Sequence, residues 1–407
     1  MKEKILIIGN DPRGFSGFGR IVNYLVDSVL AAEKEPLVIA CKANAQREFT
    51  KAKLFETDQS DIHGLRKLEE VLKEETPSIV ISIGDPWDIE GIGRVYKSFD
   101  FVWIGYTPVD STPYPRYVLL TKDPHQYLDV GYVLRHMDHI VTYSDFGKSS
   151  IGTMLQGTYD PKLGGKAIPP ISRIYLGVDN DFFAPGAQAT ARKVFSGAID
   201  ESDLLFTAMK VNSLRSGLDT LIEAWAKYLE LAKREASLQQ VMKLYVHTCA
   251  QGAYSLPLLM QRHGVQESVF FNPELSPQSG VSEEDLVDIY RSSDICLSAV
   301  RAEGFGLNAL EAMSCAKATI VPDYGGPSEY GQDGLQRVPI AATYNPEFAV
   351  TDFAIVDANQ MAKEMLHLAL SEDRRRKLGE RAREVAVGLS WKRFIKEWAD
   401  LISNYCS

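Results

Sequence analysis

The sequence predicts an α/β protein made of two doubly wound, parallel-sheet domains that face each other across a cleft. Short apolar segments alternate with segments of helical periodicity along most of the chain, and near-continuous apolar strands are typical of sheets covered on both faces. The chain has 407 residues, more than one hydrophobic core usually holds. We therefore expect two Rossmann-like domains.

The predicted strands fall into two sets of similar spacing. The first half of the chain has apolar runs at 4–9, 36–41, 79–83, 101–106, 140–144 and 174–177. The second half has apolar runs at 204–209, 244–248, 269–271, 295–298 and 319–322. Because helix-like segments separate the runs, each half is expected to form one parallel sheet.

A break in this alternation marks the predicted domain boundary. Residues 177–186 are rich in Gly, Asp and Pro and fit neither period. We expect a first domain over 1–180, an interdomain linker over 181–202 and a second domain over 203–388. Residues 389–407 carry Trp, Phe, Ile and Leu at helical spacing and predict a final helix packed on a core.

Composition and charge limit the classes of function. Lys and Arg number 44 against 54 Asp and Glu, a net charge of −10, which weakens any case for sequence-independent binding to nucleic acid or anionic lipid. No run of about 18 apolar residues and no signal-peptide pattern occurs, so we expect a cytoplasmic protein without a transmembrane segment. The five cysteines are scattered without metal-ligand spacing and are expected to be reduced.

The segment 301–311 is the strongest indication of function. It sets Glu303 and Glu311 eight positions apart across a glycine-containing turn, after a predicted strand and before a predicted helix. In open α/β sheets ligands bind at the carboxyl ends of strands, where a helix N-terminus offers backbone N–H groups to phosphate oxygens. The segment therefore predicts a site for a sugar nucleotide.

Each part of this turn has an expected role. Glu303 is expected to accept hydrogen bonds from sugar hydroxyls, and Glu311, about two turns into the helix, from a ribose diol. The remaining predicted donor contacts in this segment come from the turn and the start of the helix: Gly304, Phe305, Gly306 and Leu307.

Residues 301–311 resemble the Glu-x7-Glu signature of retaining glycosyltransferases of family 4, which have the GT-B fold. The likeness extends to residues 318–329, which are similar to the family's next strand and its Gly-Gly-x-x-Glu loop, and to 282–294, similar to the helix before the motif. The resemblance implies a hexosyltransferase that uses a nucleoside-diphosphate sugar, retains the anomeric configuration and needs no metal. It also implies that the second domain binds the donor, while the first domain, completed by helix 389–407, binds the acceptor.

The resemblance implies positive charge around the donor diphosphate. The family supplies an Arg and a Lys from the loop after the first strand of the second domain. Here Arg215 fits the arginine position and counts among the predicted catalytic residues, whereas Ser216 stands where the lysine is expected. Lys210, at the strand end, is expected to supply the second charge.

The first strand–helix turn, residues 11–20, is similar to the family's glycine-rich loop. Its Gly17 and Gly19 are therefore expected to contact the donor. The glycine order departs from the dinucleotide fingerprint, which argues against a nucleotide-dependent oxidoreductase.

The acceptor side is less well defined by sequence. Residues 101–111 lie where many family members carry a His-Asp pair; Asp110 matches the aspartate, and the histidine is absent. The resemblance gives Asp110 a catalytic role, either orienting the acceptor hydroxyl or stabilising positive charge at the anomeric carbon; a loop-capping role stays open. Tyr106 and Asp85 are expected to line the acceptor site.

Residues 179–181 spell the Asp-x-Asp triplet with which glycosyltransferases of another fold hold manganese. We do not assign it to a metal, because it lies in the predicted linker and not at a strand end. No resident cofactor is expected, and the donor substrate is expected to be a UDP-sugar or GDP-sugar. The acceptor stays open among small molecules, glycans, lipid-linked sugars and hydroxymethylated DNA bases. The chief alternative function is a catalytically idle protein of this fold that binds a nucleotide sugar or glycan.

Overall fold

The structure is a computed structural model that describes residues 2–14, 16–42, 45, 47–58, 60–119, 127–157, 167–272, 281–346 and 351–406. The chain divides into two compact units. The first comprises Met1–Gly177 together with Trp391–Ser407, and the second comprises Val178–Ser390. Each unit is built around a parallel sheet with helices in the connections between strands.

The first unit contains a seven-stranded sheet whose neighbouring strands are all parallel. Its strands are β1 (Lys4–Asn10), β2 (Glu35–Cys41), β3 (Lys53–Glu56), β4 (Ile79–Ile83), β5 (Val102–Thr107), β8 (His139–Thr142) and β9 (Ile171–Arg173), while β6 (Tyr117–Leu119) and β7 (Tyr127–Asp129) form a separate antiparallel pair. The spatial order is β3-β2-β1-β4-β5-β8-β9. The order reverses between β1 and β4, the kind of place where open α/β sheets bind ligands.

Helices in the connections cover this sheet. They are α1 (Gly17–Ala31), α2 (Leu65–Glu75), α3 (Glu90–Val95), α4 (Val130–His136) and α5 (Asp145–Gln156), with a short 3₁₀ turn at Tyr96–Ser98. The last helix of the chain, α14 (Trp391–Ser403), belongs to the same unit. The Trp391 ring of α14 stacks on Tyr24 of α1 with centroids 4.1 Å apart, and Trp398 packs edge-on against Tyr106 at 5.0 Å. This apolar stripe is what fixes the terminal helix to the first unit.

Most predicted strands of the first half match the structure to within about one residue, and two differences have physical causes. The strand predicted at 174–177 is wrong, because the edge strand is Ile171–Arg173 and the Ile174 N–H already makes the last bond, to the Thr142 carbonyl at 3.0 Å. Strand β3 was not predicted. Its sequence, KLFE, has a half-buried centre between exposed charged ends and so carries no apolar run.

The second unit contains a six-stranded parallel sheet and a short antiparallel hairpin. The sheet strands are β10 (Leu204–Met209), β11 (Met242–His247), β12 (Val269–Phe270), β13 (Ile295–Leu297), β14 (Ala318–Pro322) and β15 (Gln336–Val338), in the order β12-β11-β10-β13-β14-β15. The hairpin pairs β16 (Ile340–Tyr344) with β17 (Phe353–Val356). The order again reverses beside the first strand, between β10 and β13.

The helices of the second unit are α6 (Gln188–Ala191), α7 (Leu218–Ala232), α8 (Leu256–His263), α9 (Glu283–Ser292), α10 (Leu307–Ser314), α11 (Gly326–Tyr330), α12 (Ala358–Ala369) and α13 (Glu372–Gly388), with 3₁₀ turns at Arg192–Phe195 and Leu214–Ser216. The core beneath α7 is aromatic: Trp225 and Tyr228 lie 5.1 and 5.0 Å from the Phe206 ring of β10. The indole N–H of Trp225 donates to Ser268 Oγ at 2.9 Å, so this buried ring keeps its hydrogen bond.

The segment expected to link the domains packs within the second unit. Arg192 is 5% exposed and donates to Asp294 Oδ2 at 2.9 Å, while Arg383 of α13 donates to the Asn180 carbonyl at 2.9 Å. The buried Arg192 and the half-buried Arg383 tie residues 178–203 to the end of α9 and to α13, and the change of unit falls at Gly177. Over the described ranges, no helix is both long and apolar enough to cross a membrane.

Candidate active site

The Glu303–Glu311 motif, which was predicted to bind a sugar nucleotide, lies at the carboxyl edge of the second unit's sheet, where β10 and β13 end. The turn after β13 leads into α10, and the Asn308 amide in the first turn of that helix donates to the Met209 carbonyl at 2.6 Å. This bond joins the N-terminus of α10 to the last residue of β10. The two loops that sequence analysis assigned to the donor are therefore brought side by side.

Lys210 and Glu303, both predicted site residues, form an ion pair at this edge. Lys210 Nζ lies 3.0 Å from Glu303 Oε2, although the residues are 93 positions apart in the chain. The lysine side chain is 10% exposed and the glutamate side chain 30% exposed. Each charge is thus neutralised by a partner at a partly open surface, where a bound molecule of suitable charge and hydroxyl content can take over either contact.

The predicted glycine turn is shaped by close contact with α11. Gly306 has φ of +87°, and a Cβ there would lie 2.6 Å from Pro327 Cγ; at Gly326 a Cβ would lie 2.1 Å from the Gly304 carbonyl oxygen. Glycine is therefore required at both places. The Gly326 N–H donates to the Glu303 carbonyl at 3.0 Å, which fixes the backbone of Glu303 directly. Phe305 is 2% exposed, so only its backbone can serve as the predicted donor contact.

Glu311 is held deep in α10. It is 4% exposed and accepts a hydrogen bond from the Tyr290 hydroxyl at 2.8 Å. Burial, with the Glu311 charge as a second cause, raises the pKa of Tyr290 well above its usual value, so the phenol stays a donor. Leu307, which opens the same helix, is half-buried. Contact between Glu311 and a ribose diol stays a prediction.

The loop after β10 has two positions where a cation was expected, 215 and 216, and the first of them lies at the surface. Arg215 is exposed, and its backbone carbonyl accepts from the Arg301 N–H at 2.7 Å. Ser216, which stands where a lysine was expected, is 4% exposed and closes a capping box with Ser213. Its hydroxyl therefore shapes the turn, and the cations of this loop are Arg215 and Lys210.

A buried arginine that sequence analysis did not single out lies beside the motif. Arg301 is 7% exposed; its Nη2 donates to both Asp219 carboxylate oxygens at 2.7 and 2.6 Å. Its Nη1 donates to the hydroxyls of Tyr254 and Tyr344, each at 2.9 Å. These partners lie 43 to 82 positions away, and no spacing in the sequence indicates that they meet.

His247, at the end of β11, is a second residue that sequence analysis missed. Burial lowers its pKa to about 4, so the imidazole is neutral near pH 7. Its Nδ1 lies 3.1 Å from the Tyr245 hydroxyl, and its carbonyl accepts from the Lys210 N–H at 3.2 Å. A lone histidine at a strand end carries no sequence signal of this kind.

The corresponding edge of the first unit has a different charge arrangement. Arg13, in the turn after β1, donates from Nε and Nη2 to Asp11 at 2.9 Å each, and its Nη1 lies 2.7 Å from Glu56 Oε1. The hydrogen bonds that Arg13 donates to Asp11 raise the pKa of Arg13 above its already high value. The arginine thus has two carboxylates around one positive charge.

The two glycines predicted to contact the donor from this side occupy the first turn of α1. Gly17 opens the helix and is exposed, whereas the Gly19 N–H donates to Ser16 Oγ at 3.0 Å. The Gly19 amide is therefore engaged by the N-cap serine in this structure, and contact of Gly17 and Gly19 with the donor stays a prediction.

A cavity of about 170 Å³ opens at the same edge of the first unit, between the ends of β1, β2 and β4. Asp85, a predicted acceptor residue, lines it, and the other polar or charged residues in its wall are Asn10, Lys42, His63 and Asp88. Its large apolar residues are Ile8, Phe18, Ile62, Ile83 and Ile89. The cavity combines two carboxylates with an imidazole and an ammonium group.

The other two acceptor predictions have different outcomes. Tyr106 is fully buried; its hydroxyl donates to the Ile174 carbonyl at 2.9 Å, and burial raises its pKa well above the usual value. This burial corrects the prediction that Tyr106 contacts an acceptor, because strand β5 turns that side chain toward Tyr143 and α14. Asp110 is half-buried in the loop after β5, and its role stays a prediction.

The Asp-x-Asp triplet forms a turn of its own. Asp179 Oδ1 accepts from the backbone N–H groups of Asp181 and Phe182 at 3.1 and 3.0 Å, and the Asn180 amide donates to the Ala386 carbonyl at 3.1 Å. The triplet therefore has a local structural role. Within the described part of the chain, no group of three or more His, Cys, Asp or Glu side chains is arranged to hold a metal ion.

Two Rossmann-like parallel sheets, the second with the Lys210–Glu303 ion pair at its carboxyl edge, define an α/β protein of the GT-B class. Residues 190–385 match the family model described as glycosyl transferases group 1. These residues, which span most of the second unit, form a group 1 glycosyltransferase domain. The predicted glycosyltransferase class is thus confirmed at the level of this domain.

Known proteins agree with this assignment. D-inositol 3-phosphate glycosyltransferase of Saccharomonospora viridis is 29% identical over 222 residues, which are 53% of this chain and 46% of that protein. The chain spans about half the length of the curated relatives it matches.

Solved structures resemble the whole chain. Sucrose-phosphate synthase of Thermosynechococcus elongatus has a TM-score of 0.75 at 16% identity, covering 99% of both chains. HepE of Anabaena in complex with UDP-glucose has a TM-score of 0.66 at 13% identity, covering 98% of this chain and 99% of that one. At such identities the likeness concerns the fold, and it confirms the predicted fold class.

Proposed function

We propose that the chain is a retaining, metal-independent glycosyltransferase that moves a sugar from a UDP-sugar or GDP-sugar to an acceptor hydroxyl. The observation that carries the proposal is the Lys210–Glu303 ion pair, with Nζ 3.0 Å from Oε2, at the carboxyl edge of the second sheet. The second unit is then the donor-binding domain, over about the predicted 203–388. The name of the Anabaena complex, which contains UDP-glucose, supports a UDP-sugar as the first donor to test.

Donor binding uses the charges that the edge already pairs. The diphosphate takes Lys210 from Glu303 and adds the exposed Arg215, while the N-terminal amides of α10 face the phosphate oxygens. Glu303, released from the lysine, accepts hydrogen bonds from the sugar hydroxyls. A nucleoside-diphosphate sugar therefore satisfies both members of the pair at once, which neither a plain nucleotide nor a free sugar does.

Transfer follows from this arrangement of charge. The bond between the anomeric carbon and the diphosphate oxygen breaks, and Lys210 and Arg215 stabilise the negative charge that develops on the diphosphate. The acceptor oxygen forms its bond to the anomeric carbon on the same face, and its proton passes to the departing phosphate oxygen. No side chain is then needed as a general base. We propose that Asp110 lies near the positive charge that develops at the anomeric carbon.

The acceptor is proposed to bind the first unit. The cavity of about 170 Å³ beside Asp85 and Asp88 supports this, since carboxylates accept hydrogen bonds from hydroxyls and the cavity is too small for a large apolar group. A small hydroxyl-rich acceptor fits this wall better than a lipid chain does. The names of the curated relatives, D-inositol 3-phosphate glycosyltransferases, are consistent with such an acceptor.

One observation favours the alternative of a catalytically idle binding protein. Ser216 replaces the expected lysine and is committed to a buried capping box, so the loop has one cation fewer than the family pattern. An idle protein would still bind a nucleotide, but it would release no nucleoside diphosphate from a nucleotide sugar.

Thermal unfolding with UDP, GDP, ADP and TDP is the first test. Ligand at about 100 times its dissociation constant adds about 2.7 kcal/mol and raises the midpoint by several degrees. We expect either UDP or GDP, and no other nucleotide, to raise the unfolding midpoint of the protein. Mass spectrometry of reactions with the matching sugar donor should then detect a glycosylated polyol. Binding without turnover over a broad acceptor panel would favour the idle protein, and no shift from any nucleotide would contradict the donor site.

A further inference from the structure

We propose that Arg301 is a positioning residue: its buried guanidinium fixes the loop that carries Glu303, and through it the orientation of the donor sugar. The inference rests on the proposed function, because it adds a residue to the same site. It concerns a buried side chain that acts through its neighbours.

The loop that carries Glu303 needs such support. Residues 298–306 belong to neither strand nor helix, so no ladder of backbone hydrogen bonds holds them in place. The Arg301 backbone makes two bonds to other segments: its N–H donates to the Arg215 carbonyl at 2.7 Å, and its carbonyl accepts from the Ala354 N–H at 2.8 Å. Arg301 therefore joins the loop to the β10–α7 connection and to strand β17.

The side chain extends the same connections. The guanidinium reaches Asp219 in the first turn of α7, Tyr254 before α8 and Tyr344 at the end of β16. A guanidinium is planar and always charged, and each hydrogen bond from a charged donor is stronger than one between neutral groups. Three segments that are far apart in sequence thus converge on one rigid group, which lies two positions before Glu303.

Because Arg301 is buried, its hydrogen-bond partners must be placed accurately. Arg301 is 7% exposed, and a charge withdrawn from water is stable only where its partners are correctly placed. Asp219 and the two tyrosines therefore constrain the loop to one conformation before any ligand arrives. This conformation is the one in which Glu303 meets Lys210.

The Tyr344→Phe variant tests the inference with the least risk to folding, because it removes one hydroxyl and keeps the ring. We expect kcat for transfer from UDP-glucose to fall about tenfold, the loss of one hydrogen bond to a charged donor, with KM for UDP-glucose changed less than about twofold. Tyr96→Phe in the first unit is the matched control, since the Tyr96 hydroxyl is also hydrogen-bonded to a charged partner, donating to Asp138 at 2.9 Å. It should leave kcat unchanged.

A double-mutant cycle separates positioning from general stability. If Tyr344 acts through Glu303, its removal should lower kcat much less in a Glu303→Gln background than in the wild type. A tenfold loss in both backgrounds would overturn the inference, as would an unchanged kcat for Tyr344→Phe.

Hydrogen exchange of the ligand-free protein gives a readout that does not depend on the proposed function. In Tyr344→Phe, amides of 298–306 should exchange faster while those of α12 keep their wild-type rates. If the wild type neither binds UDP nor uses UDP-glucose, the proposed donor is wrong, and hydrogen exchange alone tests the positioning role. Unchanged exchange over 298–306 in Tyr344→Phe then overturns that role, and faster exchange supports it.

Discussion

The carboxyl edges of the two sheets share a topology but differ in how the cation at each edge is paired. Both sheets reverse their strand order beside the first strand, and both place a cation in the adjoining turn. In the second unit the Lys210 side chain pairs, among the residues that the structure describes, with one carboxylate, that of Glu303, which is itself 30% exposed. In the first unit Arg13 is held by Asp11, which is 1% exposed at its side chain, and also by Glu56.

This difference teaches that a cation in a strand–helix turn is not by itself an anion site. A ligand can exchange with a single, partly exposed partner at small cost. It cannot easily displace a buried carboxylate, because the uncompensated charge left behind is strongly destabilising. We therefore assign phosphate binding to the second edge and a structural role to the Arg13 cluster. The following predictions test this contrast, beginning with the largest effect in free energy.

Arg13→Met should destabilise the first unit by about 3 kcal/mol, because it leaves Asp11 buried without its cation. Urea unfolding followed by tryptophan fluorescence measures this, since four of the five tryptophans lie in the first unit. Arg66→Met is the control: its pair with Asp58 is exposed and should contribute less than about 1 kcal/mol. Unchanged stability, or a loss of UDP binding in the folded variant, would contradict the contrast.

Glu303→Gln should lower kcat for sugar transfer about 100-fold, since the amide replaces one acceptor oxygen with a donor and removes the charge near the reacting sugar. The dissociation constant for UDP, measured by calorimetry, should change less than threefold, because UDP lacks the sugar. Glu284→Gln, on the exposed face of α9, should behave as the wild type. Full transfer activity in Glu303→Gln would refute the assignment.

Lys210→Met should weaken UDP binding about 30-fold through the loss of a charge-assisted contact to the diphosphate. The affinity of the wild type should also fall with added salt, and that of the variant should fall less. Lys227→Met, which removes a surface cation of α7, is the control. An equal affinity in Lys210→Met and the control would place the phosphates elsewhere.

His247 should make the second unit sensitive to acid. Its folded pKa of about 4 lies below the ordinary 6.5, so the unfolded chain takes up the proton first and stability is lost as pH falls from about 6.5 to about 4. From pH 7 to pH 5 we expect a loss of about 2 kcal/mol that His247→Gln does not show. Hydrogen exchange of β10 and α7 measures it, with His367→Gln, a half-exposed histidine of α12, as the control. The same acid response in wild type and His247→Gln would contradict the prediction.

Tyr106→Phe should produce the smallest change, a loss of about 1 kcal/mol in the first unit, because the Ile174 carbonyl loses its buried donor. KM for any accepted sugar acceptor should not change, since the hydroxyl faces the core. A raised acceptor KM would restore the original prediction of acceptor contact.

The sequence predicted the fold well where a pattern is local. The strands at 79–83 and 204–209 and the start of a helix at Leu307 match the structure, because an apolar run or a 3.6-residue period is written in neighbouring residues. Strands β3 and β16 were missed, since their exposed or half-buried residues carry no such run. Tyr106 was wrongly expected to line the acceptor site, because the sequence of a strand does not indicate what packs over the face on which an aromatic side chain lies.

By itself, the sequence determined two Rossmann-like sheets and a carboxylate motif at the end of a strand, because both follow from short-range periodicity and spacing. Only the tertiary structure decided which charges meet: Lys210 with Glu303 across 93 positions, Arg301 with Asp219 across 82, and Arg13 with Glu56 of β3, two strands away from β1 in the sheet. Such pairs depend on how strands are ordered in the sheet and on how far each group is withdrawn from water. Neither quantity is encoded in the spacing of residues along the chain.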